Sequence, residues 1–118
     1  MHELAIADSI LAIARDHARG RRVARVEVVV GALRQVVPSA LEFAFELVAA
    51  GTEVEGAELV LEHVDARVEC RNCLRQSVCG GFPLLCRHCR SDAVHVVAGE
   101  ELHVDALELE DPVPVGRR

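Results

Sequence analysis

The 118-residue chain has no tryptophan, no tyrosine and no lysine, and only three phenylalanines. Surfaces that stack nucleic-acid bases are built from aromatic rings, so this scarcity argues against one. No run of eighteen apolar residues occurs, and no membrane-crossing helix is expected. A secretion signal wants a basic start and an unbroken apolar run, whereas this chain begins with Glu3 and Asp8 in those places. The expected compartment is therefore the cytoplasm, where cysteines stay reduced and serve metals in preference to disulfides. Also missing are a phosphate loop, a nucleophile elbow and a His-Glu-x-x-His helix, so hydrolase or transferase chemistry finds no support and the chain is not expected to be an enzyme.

What the chain does hold is five cysteines, four of them in two Cys-x-x-Cys pairs. Cys70 and Cys73 form the first, Cys86 and Cys89 the second, with twelve residues between the pairs. Each pair turns two thiolates toward one point, and the intervening loop lets the second pair complete a tetrahedron. That pattern reads as a closed, structural Zn(II) site. Cys79 falls in the loop and reads as a spare thiol.

The net charge of −6 is unevenly spread. Residues 67–95 carry five arginines and two acids, a formal +3, and the remainder carries −9. Zn(II) with four thiolates would bring the +3 down to near +1. A weakly positive module on an acidic body is a poor phosphate binder, so nucleic acid is not an expected partner.

Apolar periodicity places a helix over residues 3–19, with Leu4, Ala7, Leu11, Ala14 and Ala18 as its stripe, Ile6, Ile10 and Ile13 broadening it and His17 half-buried at the edge. Gly20 supplies the stop. A valine-rich strand covers 23–30, and Val29, on its polar side, suggests that this face is partly covered too. A second helix spans 39–50, begun by Pro38 and a Ser39/Glu42 capping box. Strands follow from about Glu58 to Val68 and from about Glu101 to Leu109, the latter with a bulge or a strand end near Leu107. The expected fold is α+β: a three-stranded sheet with two helices on one face and an inserted zinc-ribbon-like module. The expected division is a discontinuous body of residues 1–66 and 98–110, a zinc-binding module of 67–97, and a frayed tail of 111–118.

The chain starts Met1-His2-Glu3. A terminal amine, two backbone amides at a helix start and an imidazole lie within a few bonds of one another. The first amides of a helix lack intrahelical acceptors and are free to lose a proton to a metal. Such a nitrogen set suits square-planar Ni(II) or Cu(II), and the Glu3 carboxylate would add an oxygen or steady the site from behind. Taken alone, His2 reads first as a solvated residue at a helix start and Glu3 as an acid favoured by the helix dipole.

The order of several motifs adds to this. Met-His-Glu-Leu at the start, Val-Gly-Ala-Leu at 30–33, Leu-Glu-Phe-Ala-Phe at 41–45, Glu-Gly-Ala-Glu-Leu at 55–59, the two cysteine pairs and Gly-Glu-Glu-Leu at 99–102 occur in sequence. Up to about Glu110 the chain resembles the HypA/HybF family of hydrogenase maturation factors. The resemblance implies a non-enzymatic metallochaperone that carries Ni(II) on Met1, His2 and Glu3 and holds structural Zn(II) on Cys70, Cys73, Cys86 and Cys89. It implies a HypB-type GTPase and the [NiFe]-hydrogenase large subunit as partners; the sequence is compatible with a monomer and with a homodimer. Two departures from the family pattern are Ala5, where serine is common, and the extra Cys79.

Two rival functions could use the same cysteine pattern: a nucleic-acid-binding zinc ribbon, and a redox or iron protein using the same thiolates. Dithiol chemistry wants its pair at a helix start after a strand, whereas two facing pairs favour metal ligation. Among the remaining histidines, His88 sits inside the second pair and is a candidate for exchange with a thiolate. His63 and His103 read as sheet residues, and His95 as a surface residue.

Overall fold

The computed structural model describes residues 2–110. Met1 and the tail from Asp111 to Arg118 lie outside the described residues, and with them one expected nickel donor and the expected fraying. The elements run α1 (Glu3–Ala18), β1 (Val23–Gly31), a 3₁₀ turn (Ala32–Arg34), α2 (Pro38–Ala49), β2 (Glu58–Val64), β3 (Ala66–Cys70), β4 (Gln76–Cys79), β5 (Val94–Ala98) and β6 (Leu102–Leu109). They form two three-stranded sheets, ordered β2-β1-β6 and β4-β3-β5. This is the expected α+β class, with both helices on one face of the first sheet.

In the first sheet, β1 pairs in parallel with β2 and antiparallel with β6. Its inner valines, Val23, Val26, Val28 and Val30, join Leu41, Phe45 and Val54 in one core with the small residues of α1. The buried stripe of α1 is Glu3, Ala7, Ile10, Ala14 and Ala18. Ala7, Ala14 and Ala18 of the expected stripe are buried and Ile10, expected to broaden it, lies at its centre, whereas Leu4 is 51% exposed. Alanines at 7, 14 and 18 bring the helix backbone close to its neighbours, and larger side chains are pushed to the flanks. His17 is exposed, its Nδ1 2.9 Å from the Ile13 carbonyl, and not half-buried as expected. Arg19 takes the left-handed conformation at the helix end (φ 53°) and Gly20 follows it (φ 84°). On the outer face of β1, Val29 is only 8% exposed, flanked in register by Glu62 and His103.

Three local expectations need correction. The Ser39/Glu42 capping box does not form. Pro38 occupies the first helical position and Val37 is the N-cap, without a side-chain cap of its own. Its backbone N–H instead donates to Glu3 Oε2 at 3.1 Å, a cap supplied by the other helix. The expected strand from Glu58 to Val68 is two strands in different sheets: β2 pairs β1 as far as Val64↔Gly31, and after Asp65 β3 pairs with β4 and β5. The register irregularity in β6 falls at Asp105, where Glu27 faces Ala106 and Val28 faces Val104, two residues before its expected place.

The two sheets meet at a tight backbone crossing. Leu33 N–H donates to the Gly99 carbonyl at 2.8 Å, and Gly31 N–H to Glu101 at 2.7 Å. A Cβ on Gly99, whose φ is +116°, would approach Ala66 Cα to 2.7 Å. Only glycine fits both that angle and that contact. Ala32 and Leu33 then pack on Ala66, Val68 and Cys79, so the turn after β1 is shared with the core of the second sheet.

Candidate metal centres

Cys70 is the last residue of β3, and its pair Cys73 closes a knuckle in which Leu74 N–H bonds the Cys70 carbonyl at 3.0 Å. Sixteen residues later the same construction recurs, with Arg90 N–H on the Cys86 carbonyl at 3.0 Å. Leu74 and Arg90 both have φ of 66°, the left-handed residue that each knuckle needs to turn back. Within each knuckle two backbone N–H groups point at the first sulfur. Cys70 Sγ receives Asn72 N at 3.3 Å and Cys73 N at 3.4 Å; Cys86 Sγ receives His88 N at 3.3 Å and Cys89 N at 3.4 Å.

The four sulfurs all lie within 4.8 Å of one another, and the Cys70–Cys89 and Cys73–Cys86 separations are 3.6 Å. A tetrahedral zinc with four thiolates needs sulfurs about 3.8 Å apart, so the quartet fits that ion. None of the cysteines is in a disulfide. Asn72 Nδ2 adds a contact to Cys89 Sγ at 3.6 Å. Backbone N–H groups, led by that of Cys73, lower the Cys70 thiol below its usual range. The Cys89 N–H leads the same effect at Cys86, bringing it to about 6. At Cys73 the Arg75 N–H favours the thiolate, but burial and the thiols of Cys86, Cys70 and Cys89 outweigh it and push the group up to about 11. Part of the quartet is thus poised as thiolate, and the proton left on Cys73 is one that a divalent cation would displace.

Cys79 stays outside the quartet, its buried Sγ donating to the Leu85 carbonyl at 3.4 Å. His88 also lies outside it, with Nε2 3.3 Å from the Gln76 carbonyl. His63 and His103 lie on strands as expected; His63 and His95 pair with Asp65 at 3.3 Å and Glu69 at 3.6 Å. One supporting residue escaped the sequence reading. Ser77 is buried and its Oγ accepts the Arg87 N–H at 3.2 Å, tying β4 to the second knuckle. A serine in a polar loop carries no signal that would have marked it.

The expected nickel residues are placed differently. His2 is exposed at the N-cap of α1, with no side-chain cap bond. It borders an apolar groove between α1 and β6 that includes Ile6, Ile10, Leu102 and Val104. Glu3 is only 7% exposed, and its carboxylate is engaged with α2 through Val37. Among the described residues the cysteine quartet is the one convergent group of three or more His, Cys, Asp or Glu ligands.

Fold and quartet define a small α+β metalloprotein with a zinc-ribbon module beside a two-helix, three-stranded body. Residues 1–109 match the family described as "HypA: Hydrogenase/urease nickel incorporation, metallochaperone, hypA". Hydrogenase maturation factor HypA of Geobacter metallireducens is 43% identical over 110 residues, covering 93% of this chain and all of the relative. The HypA of Moorella thermoacetica is 35% identical, covering 92% and 98%. The solution structure of the Ni metallochaperone HypA from Helicobacter pylori superposes with a TM-score of 0.66 at 25% identity, over 92% of this chain and 97% of that one. The chain belongs to the HypA family of nickel metallochaperones for hydrogenase maturation. Its relatives are named as maturation factors and metallochaperones, and no described helix is long and apolar enough to cross a membrane.

Proposed function

We propose that this protein binds one Ni(II) at its own N-terminus and hands it to the large subunit of a [NiFe]-hydrogenase, in concert with a HypB-type GTPase. The donors are the Met1 amine, the backbone nitrogens of His2 and Glu3, and the His2 imidazole. Zn(II) on Cys70, Cys73, Cys86 and Cys89 is structural. Residues 1–66 and 98–110 act as the nickel-bearing body and 67–97 as the zinc-bearing module. The work is transfer, not catalysis, and is carried out in the cytoplasm.

The observation that carries this reading is the exposed His2 at the N-cap of α1. A helix start leaves its first N–H groups without intrahelical acceptors. An exposed terminus is open to a receiving partner, whereas a closed cage would retain its ion. Calorimetric nickel titration of three chains tests it: the native chain, a chain with residues left ahead of Met1, and His2→Ala. The extension breaks the chelate and the substitution removes the imidazole, so each should abolish high-affinity binding. Undiminished affinity in both altered chains would place the nickel elsewhere.

A further inference from the structure

We propose that the cleft beside the second cysteine knuckle is a docking site for an acidic segment of a protein partner that also carries apolar side chains. The cleft has a volume of about 430 Å³, and Gly80, Gly81, Pro83, Leu85, Arg87 and Arg90 line it. Phe82, between two lining residues, is 63% exposed. An exposed phenylalanine beside a concave, partly apolar wall is the kind of anchor that protein interfaces are built around.

The charges point to the sign of the partner. In the body, every described arginine but Arg19 is engaged: Arg15 with Glu53, Arg25 with Glu27, Glu58 and Glu108, and Arg21, Arg22 and Arg34 with backbone carbonyls. In the module, Arg67, Arg71, Arg75, Arg87 and Arg90 make no ion pair or side-chain hydrogen bond among the described residues. Part of this positive charge answers the thiolates, since a zinc with four of them carries −2. Five arginines against Glu69 and Asp92 exceed that demand. Arg87 and Arg90 share the cleft wall and offer planar forks to carboxylates. Phe82, Pro83 and Leu85 offer the apolar contact. A polynucleotide is the poorer occupant, because the chain outside residues 67–95 carries −9 and Phe82 is the module's one aromatic ring.

The test uses the full zinc-loaded chain, labelled with ¹⁵N, at low ionic strength. The probe is the peptide acetyl-Glu-Leu-Asp-Glu-Phe-Glu-amide. A version with lysine for each acid and an oligothymidylate of equal negative charge run alongside. The acidic peptide should shift the amides from Gly80 to Arg90 saturably, and added salt should weaken it. Arg87→Gln combined with Arg90→Gln should weaken binding about tenfold or more, with zinc content per chain unchanged. Phe82→Ala, which leaves every charge in place, should weaken it less and keeps the test sharp if the double variant loses zinc. The proposal is overturned if the acidic peptide moves nothing, if the lysine peptide binds equally well, or if the oligothymidylate shifts the same amides more strongly. Double-variant binding equal to that of the native chain would overturn it too.

Discussion

The cysteine quartet and the nickel site proposed at the start of α1 are built in opposite ways. The zinc quartet is assembled by the fold: two knuckles of the same construction, four sulfurs within 4.8 Å, and backbone N–H groups aimed at the first sulfur of each pair. At the start of α1, where we propose that nickel binds, the His2 side chain is exposed and makes no cap bond. One arrangement suits an ion that stays, the other an ion that leaves. The difference lies in how much of each ligand set is fixed before the metal arrives.

The largest effect should come from breaking the fixed end. Cys73→Ala removes a ligand from the closed quartet. Structural zinc is worth on the order of 10 kcal/mol in small zinc domains, so the second sheet and both knuckles should unfold locally. The core of the first sheet draws on α1, β1 and α2, and should remain folded. Amide spectra and zinc content measure both halves of this expectation; a tightly held zinc with unchanged module signals would contradict it.

Next is the independence of the two ends. Nickel added to the zinc-loaded chain should bind at about one equivalent while zinc stays in place, because soft thiolates hold Zn(II) and a nitrogen set gains from a square-planar ion. Metal analysis after gel filtration reads this directly. Stoichiometric zinc release would mean one shared site.

Acid should then sharpen the contrast within the quartet. Cys86, lowered to about 6 by backbone N–H groups, gives a thiolate at neutral pH, and protons compete with the ion for it as pH falls. The sign is fixed: zinc binding requires deprotonated sulfur, so zinc affinity falls as pH drops, and the proton on Cys86 adds to that competition below about 6. A zinc-sensitive dye, read against pH, should show release on the acid side only. Release that set in on raising the pH would contradict the role given to these thiols.

How much of this was legible beforehand differs between the two ends for a physical reason. Cysteine spacing is local and chemically selective, so Cys70, Cys73, Cys86 and Cys89 could be read as one site before any fold was known. Both helices and the strands of the first sheet also followed from local periodicity, whereas β4 and β5 did not. The junction did not. β-Branched and apolar residues continue through Asp65, so nothing in the sequence marks where the chain leaves one sheet for the other. That point is set by the Gly31–Gly99–Ala66 crossing, which joins residues far apart in sequence. The Ser39/Glu42 signal was a genuine local pattern overridden by Pro38 and a carboxylate from another helix.

That carboxylate supplies the smallest and most discriminating test. Glu3 sits one residue beyond His2, yet its Oε2 satisfies the N-cap N–H of α2. An uncapped helix start costs stability, and an acceptor there restores it. Glu3→Gln keeps a carbonyl that can accept from Val37, so melting temperature and Val37 amide protection should change little. Glu3→Ala removes the acceptor, and should lower the melting temperature by a few degrees and speed hydrogen exchange at Val37. Nickel affinity separates the two roles open to this side chain. If the carboxylate only anchors the terminus to α2, Gln should retain most of the affinity and Ala should lose more, with both weaker in effect than His2→Ala. If it ligates nickel, Gln and Ala should fall together while Val37 protection in the Gln variant stays native. Measuring exchange and nickel titration on the same two variants therefore assigns Glu3 to the fold or to the metal.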